Sequence, residues 1–155
     1  MIPIPLIEFK KMIKVKRQKP EDVIYEKIVK HLTDKHPSVI YHFDTGSGYF
    51  AGRTRNGKKN LRNANKLTML NHRWSGYPDL FISEPNKMYH GLFLEIKADY
   101  NTPVKKDGSF STAKKKQKQV RMIMDLNDRG YKSVFGVGFE QCKQIIDDYL
   151  TIPKK

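Results

Sequence analysis

Ile24, Ile28 and Leu32 recur every fourth residue, with Tyr25 and Val29 beside them. That spacing predicts an amphipathic helix over 20–34. Pro20 fits a first helical position, and Glu21 and Asp22 suit the positive end of the helix dipole. Pro37 closes the region, and the β-rich stretch Val39 to Phe43 predicts a short strand. Two compact apolar runs, Leu80-Phe81-Ile82 and Leu92-Phe93-Leu94, predict strands over about 79–83 and 91–98, joined by a turn around Glu84-Pro85-Asn86. A second helix follows, capped by Ser111 or Thr112 and running to about Arg129, with Val120, Ile123, Met124 and Leu126 in its buried stripe. Gly130 stands where such a helix would stop. Tyr131 to Val137 reads as a strand. Phe139 to Leu150 reads as a last helix with Ile145, Ile146 and Tyr149 on its apolar side. The order is αβββαβα. Three consecutive strands followed by a helical crossover predict an α/β fold, a mixed sheet flanked by helices.

Two stretches break this regularity. Residues 1–19 begin extended, with Pro3 and Pro5, and turn basic from Lys10 to Lys19; they read as an arm ahead of a single domain over 20–155. Residues 44–76 are polar, basic and rich in Gly and Asn, too long for an ordinary connection; a short helix over 64–72 is the one regular element expected there. Another polar loop spans 99–110.

Charge changes the picture. Among 155 residues, Lys and Arg number 30 and Asp and Glu 16, a net charge of +14. An excess of that size points to a polyanionic partner, with nucleic acid first and a membrane surface second; solubility alone is the bland alternative. Hydrophobic residues at 38% and 155 positions are enough for one globular core. No apolar run approaches the about 18 residues of a membrane span, and the start of the chain places its charges after its apolar part, unlike a signal peptide. The single cysteine, Cys142, excludes an internal disulfide and a Cys-rich zinc site, and is expected to pack in the core. A cytoplasmic setting is expected.

Against that background, two acids stand in the wrong place. Asp79 opens one predicted apolar strand and Glu95 lies inside the next. A carboxylate there is costly unless paired, hydrogen-bonded or holding a metal. Antiparallel pairing through the turn brings the start of the first strand opposite the end of the second. Two hard oxygen ligands so placed suit Mg²⁺ or Mn²⁺. Lys97, two residues after Glu95, falls on the same face, where a cation can stabilise hydroxide or charge building on a phosphate.

"PD", fifteen residues, then "EIK" resembles the metal-dependent PD-(D/E)xK nuclease superfamily. "PEDVIYEKIVKHLTDKHP", "GYPDLFI", "GLFLEIKAD", "QKQVRMIMDLNDRGYKSVFGVG" and "CKQIIDDYL" follow in the order of its VRR-NUC family, and the resemblance spans about residues 20–150. It implies a restriction-endonuclease-like core. It makes Asp79 and Glu95 metal-binding acids, with a metal ligand from the Ile96 carbonyl. Lys97 matches the catalytic lysine. Gln119 matches the active-site glutamine, with Gln117 the alternative register. Glu21 matches the acid of the first helix, with Glu26 its rival. The implied activity is a DNA endonuclease using one or two Mg²⁺ or Mn²⁺ ions and leaving 5′-phosphate. A homodimer and a phage or mobile-element origin, in a bacterial or phage-infected cell, are further expectations of this resemblance. The long 44–76 segment departs from the family pattern.

Several basic groups then become DNA-binding candidates. Lys114, Lys115, Lys116 and Lys118 start the second helix, beside Gln119. Arg53, Arg55, Lys58, Lys59, Arg62, Lys66 and Arg73 lie in the 44–76 segment, with Tyr49, Phe50 and Trp74 as stacking partners. "GSGYFAG" lacks the Lys-Ser/Thr ending of a nucleotide-phosphate loop. His42, His72 and His90 are isolated and read as structural. A nucleic-acid-binding module with an inert site is the alternative function, and RNA the alternative substrate.

Overall fold

A computed structural model describes residues 21–44, 55–56, 66, 75–98, 103–105 and 107–155. Among these, the elements are α1 (Glu21–Lys35), β1 (Tyr41–Phe43), β2 (Leu80–Ile82), β3 (Leu92–Lys97), α2 (Lys114–Asp128), β4 (Lys132–Val137) and α3 (Gly138–Thr151). The four strands form one mixed sheet in the order β1-β2-β3-β4. The first two pairings are antiparallel, and β3 runs parallel to β4 through α2.

Period-two alternation divides the sheet into two faces. Leu80, Ile82, Leu92, Leu94, Ile96 and Val134 face α1 and α3, where they bury Ile24, Ile28, Leu32, Cys142, Ile146 and Tyr149. Phe135 and Val137 face the other way, and pack with Val104 and with Ile123 of α2. The result is a three-layer α/β/α fold with α1 and α3 together on one side. Cys142 is a core residue: it is fully buried, and its Sγ occupies the space a side chain on Gly136 would need.

The helix α1 uses the predicted stripe, with Ile24, Ile28 and Leu32 buried. Its end is tied to α3 by polar contacts, since the Nε2 atoms of His31 and His36 lie 2.7 and 2.9 Å from one oxygen of Asp147. The first strand is shorter than the β-rich stretch that predicts it. It is regular only from Tyr41, because the Val39 N–H turns back to the His36 carbonyl. The N-cap of α2 is Ala113, with no side-chain cap. Ser111 and Thr112 are therefore not the cap; the Ser111 hydroxyl instead accepts the Ala113 N–H, closing a small turn ahead of the helix. The C-terminus of α2 behaves as Gly130 predicts. Gly130 has φ +83°, its N–H reaches the Asn127 carbonyl, and the Tyr131 N–H reaches Leu126. The expected helix over 64–72 and the arm 1–19 lie outside the described residues.

Asn127 fixes α2 against β4. Its Nδ2 donates to the carbonyls of Ile123 and Ser133, and its Oδ1 accepts the Ser133 N–H. Truncation would leave backbone groups without partners beside the core. Asn127→Ala is therefore expected to cost about 2 kcal/mol of stability, read from urea unfolding; a loss below about 0.5 kcal/mol would contradict this account.

Candidate active site

The ladder between β2 and β3 pairs Leu80 with Leu94 and ends there. One residue further along, Asp79 comes opposite Glu95. Asp79 then substitutes for a strand partner: its Oδ2 accepts the N–H of Ile96 at 2.8 Å. The N–H and C=O of one strand residue point to the same edge. The Ile96 carbonyl is thus also turned toward Asp79, past the end of β2.

Glu95 and Lys97 share the face that α2 covers. Both are buried in the middle of the molecule, at 1% and 6% exposure. Lys97 Nζ donates to Glu95 Oε1 at 2.6 Å, and Gln119 Nε2 of α2 donates to the same oxygen. The other oxygen, Oε2, is buried without a hydrogen-bond partner among the described residues. From the opposite face, the first turn of α1 adds Glu21, whose Oε1 is likewise buried and unpartnered. Glu21 acts electrostatically on both Asp79 and Glu95. The cluster thus sits where β2 stops, so that helices on both sides of the sheet reach it.

Two sequence alternatives separate here. Gln119 is buried against Glu95, whereas Gln117 is exposed on α2. Glu21 borders the cluster, whereas Glu26 is exposed. Tyr25 was not expected. One turn after Glu21, its hydroxyl donates to Asp79, and burial followed by the Asp79 charge pushes its pKa far up, so it remains a donor. The i, i+4 spacing from Glu21 was the available signal, but Tyr25 beside an apolar stripe reads as core.

Electrostatics make the cluster a strained anionic one. Burial pushes the Asp79 carboxyl up, against the Ile96 N–H, Lys97 and Tyr25, which all pull it down. Burial also pushes Glu95 up, and repulsion from Asp79 adds to it, together outweighing Lys97. With all groups ionised, three carboxylates face one ammonium. A divalent cation would neutralise that deficit, and its oxygen-only donor set is present in the two acids, Glu21 and the Ile96 carbonyl. The orphaned Glu95 Oε2 is a lone-pair site of the kind such an ion fills. The residues fit Mg²⁺ or Mn²⁺.

The basic candidates fall into two groups. Lys114, Lys115 and Lys118 are exposed along the first turns of α2, and Lys116 is half-buried. Arg55 and Lys66 are exposed. Arg53, Lys58, Lys59, Arg62 and Arg73 lie outside the described residues, as do Tyr49, Phe50, His72 and Trp74. His42 and His90 are exposed.

Comparison with solved structures finds a chain described as a VRR_NUC domain protein. It superimposes with a TM-score of 0.50, covers 89% of this chain and 93% of its own length, and is 19% identical. The likeness is one of fold. The α/β fold expected from the sequence, a mixed sheet flanked by helices in the order αβββαβα, is the architecture observed. No protein-family model and no curated protein matches the sequence. No helix among the described residues is long and apolar enough to cross a membrane.

Gly76 sets the spacing between this motif and α2. Its φ is +88°, and a Cβ there would lie 2.7 Å from the carbonyl carbon of Lys118 and 2.8 Å from the Gln119 nitrogen. Gly76→Ala is expected to cost at least about 2 kcal/mol and to weaken the Gln119–Glu95 contact; wild-type stability in urea would contradict the close approach.

A second prediction follows from the raised acids. A carboxyl whose folded pKa lies above its unfolded value destabilises the fold as pH rises. The penalty is absent below about pH 4 and complete above the shifted value. In metal-free protein at pH 8, Asp79→Asn is expected to be more stable than wild type by about 1–3 kcal/mol, with the difference vanishing near pH 4. A variant less stable at pH 8 would show that Asp79 is a net stabilising partner instead.

Proposed function

We propose that this chain is a metal-dependent endonuclease that hydrolyses phosphodiester bonds in DNA and leaves 5′-phosphate ends. The observation that supports it most is the deficit of positive charge: among the described residues, Asp79, Glu95 and Glu21 stand against Lys97 alone, with Glu95 Oε2 unpartnered. A merely structural cluster would have no reason to leave that oxygen bare in a dry sheet.

Asp79, Glu95 and the Ile96 carbonyl would hold one Mg²⁺ or Mn²⁺, and Glu21 would reach a second ion or its water. The ion, when bound, supplies an acidified water and polarises the scissile phosphate. The chain's own groups prepare the rest. Gln119 and Lys97 hold Glu95 by Oε1, which leaves Oε2 directed to the ligand position. The Ile96 N–H and the Tyr25 hydroxyl hold Asp79 from two sides. Lys97, buried beside the acids, is placed to orient the attacking water and to offset charge growing on the phosphate. The exposed lysines at the start of α2 lie on the same helix as Gln119, near its positive end, and would take neighbouring phosphates. Arg55 and Lys66 would add to that grip, with Arg53, Lys58, Lys59, Arg62 and Arg73 of the same basic segment.

Supercoiled plasmid, branched DNA and RNA incubated with Mg²⁺, Mn²⁺ or EDTA test this reading. Cutting of DNA is expected with either metal and not with EDTA. Lys97→Ala and Glu95→Ala are each expected to lower the rate at least about a hundredfold while DNA is still bound. Salt-sensitive binding with no cutting under any metal would overturn the nuclease reading in favour of a binding module, and faster cutting of RNA would overturn the substrate.

A further inference from the structure

We propose that His31, His36 and Asp147 form a second metal site, separate from the acid cluster, that takes a first-row transition ion such as Zn²⁺ and clamps α1 to α3. His31 lies in the last turns of α1, and His36 immediately follows the helix, where its N–H still bonds the Leu32 carbonyl. Asp147 lies on the facing side of α3. One ligand atom from each of the three residues lies within 4.8 Å of the other two.

The geometry is convergent rather than incidental. Both imidazoles direct Nε2 at the same carboxylate oxygen, His31 at 2.7 Å and His36 at 2.9 Å. Two ligand atoms on a tetrahedral zinc ion, each about 2.0–2.1 Å from it, stand about 3.3 Å apart. Admitting an ion therefore asks each nitrogen–oxygen gap to open by about half an ångström, which side-chain rotation supplies. The N–H moves from Nε2, which donates to Asp147 in the ion-free state, to Nδ1, so the ligand nitrogen gains a free lone pair.

The surroundings complete the arrangement. Lys143, one turn before Asp147 on α3, donates to the second carboxylate oxygen at 3.1 Å and leaves the first for the ion. An outer partner of that kind fixes a ligating carboxylate. His31 is nearly buried, with 8% of its side chain exposed, while His36 and Asp147 are about a quarter exposed, so the site is both dry enough to bind and open to solvent. His31 also lines a surface cavity of about 320 Å³ between α1 and α3. Lys27, Lys30 and Lys35 line that cavity and oppose a cation there, but Asp34 lines it too and pairs with Lys30 at 2.7 Å, and Lys143, nearer the triad, is paired with Asp147 itself. Two imidazoles and one carboxylate select Zn²⁺, Co²⁺ or Ni²⁺ over Mg²⁺. Mg²⁺ instead suits an oxygen-only set such as the acid cluster, which makes the two sites separable.

Calorimetric titration of the metal-stripped full chain with Zn²⁺ and with Mg²⁺ tests the site, together with ¹⁵N resonances of the imidazole rings. Wild type and Asp79→Asn are both expected to take up Zn²⁺ with shifts of His31 and His36 Nε2, and to melt several degrees higher with Zn²⁺ in excess. His36→Ala removes a ligand at a partly exposed position and is expected to weaken that uptake at least tenfold; His36→Gln replaces it if the alanine variant does not fold. Mg²⁺ is expected to leave both rings unshifted. Zn²⁺ uptake undiminished in the His36 variant, or ring nitrogens unmoved by Zn²⁺ in wild type, would overturn the proposal and leave the triad as a hydrogen-bonded tie between helices.

Discussion

The hydrogen bond from the Ile96 N–H to Asp79 is the hinge of the whole arrangement. It stands where the next rung of the β2–β3 ladder would have been. By ending β2 one residue early, the chain exchanges a backbone partner for a carboxylate without leaving the Ile96 N–H unpaired. The same exchange turns the Ile96 carbonyl and the Asp79 side chain toward one another, and opens a gap in the sheet. Through that gap, Glu21 and Tyr25 from one layer and Gln119 from the other reach a common point.

Burial then decides the chemistry of that point. Glu95 is held by Lys97 and Gln119 through one oxygen, and the other is buried with no hydrogen-bond partner among the described residues. The local fold tolerates this because the rest of the sheet is thoroughly apolar: Leu80, Leu92, Leu94 and Ile96 are fully buried on the opposite face. The hydrophobic layers carry the stability, and the acid cluster draws on it. That division is the familiar conflict between a site prepared for a ligand and a core prepared for itself.

Much of this was legible in the residues. The α1 stripe, the paired apolar runs, the Gly130 stop and the crossover order are local periodicities, and period and turn chemistry specify them directly. The acids were visible because a charge inside an apolar strand has few explanations. What could not be read were effects that depend on long-range placement. Tyr25 looks like part of a helical stripe until Asp79, fifty-four positions later, is brought to its hydroxyl. His31 and His36 gave no signal because their partner, Asp147, lies 116 and 111 residues away. The expected cap at Ser111 or Thr112 went wrong for a smaller reason. A serine hydroxyl can close a turn just ahead of a helix as readily as it can cap one, and composition does not distinguish the two.

The ends of the basic stretch between β1 and β2 carry a consequence of their own. At one end, the Asp44 N–H bonds the backbone carbonyl of Asp79 at 2.8 Å. At the other, Gly76 rests against the peptide joining Lys118 to Gln119. Both anchors therefore stand beside the acids, however the chain runs between them. A covalent tether of this kind sets the local concentration of whatever it carries by its length rather than by diffusion.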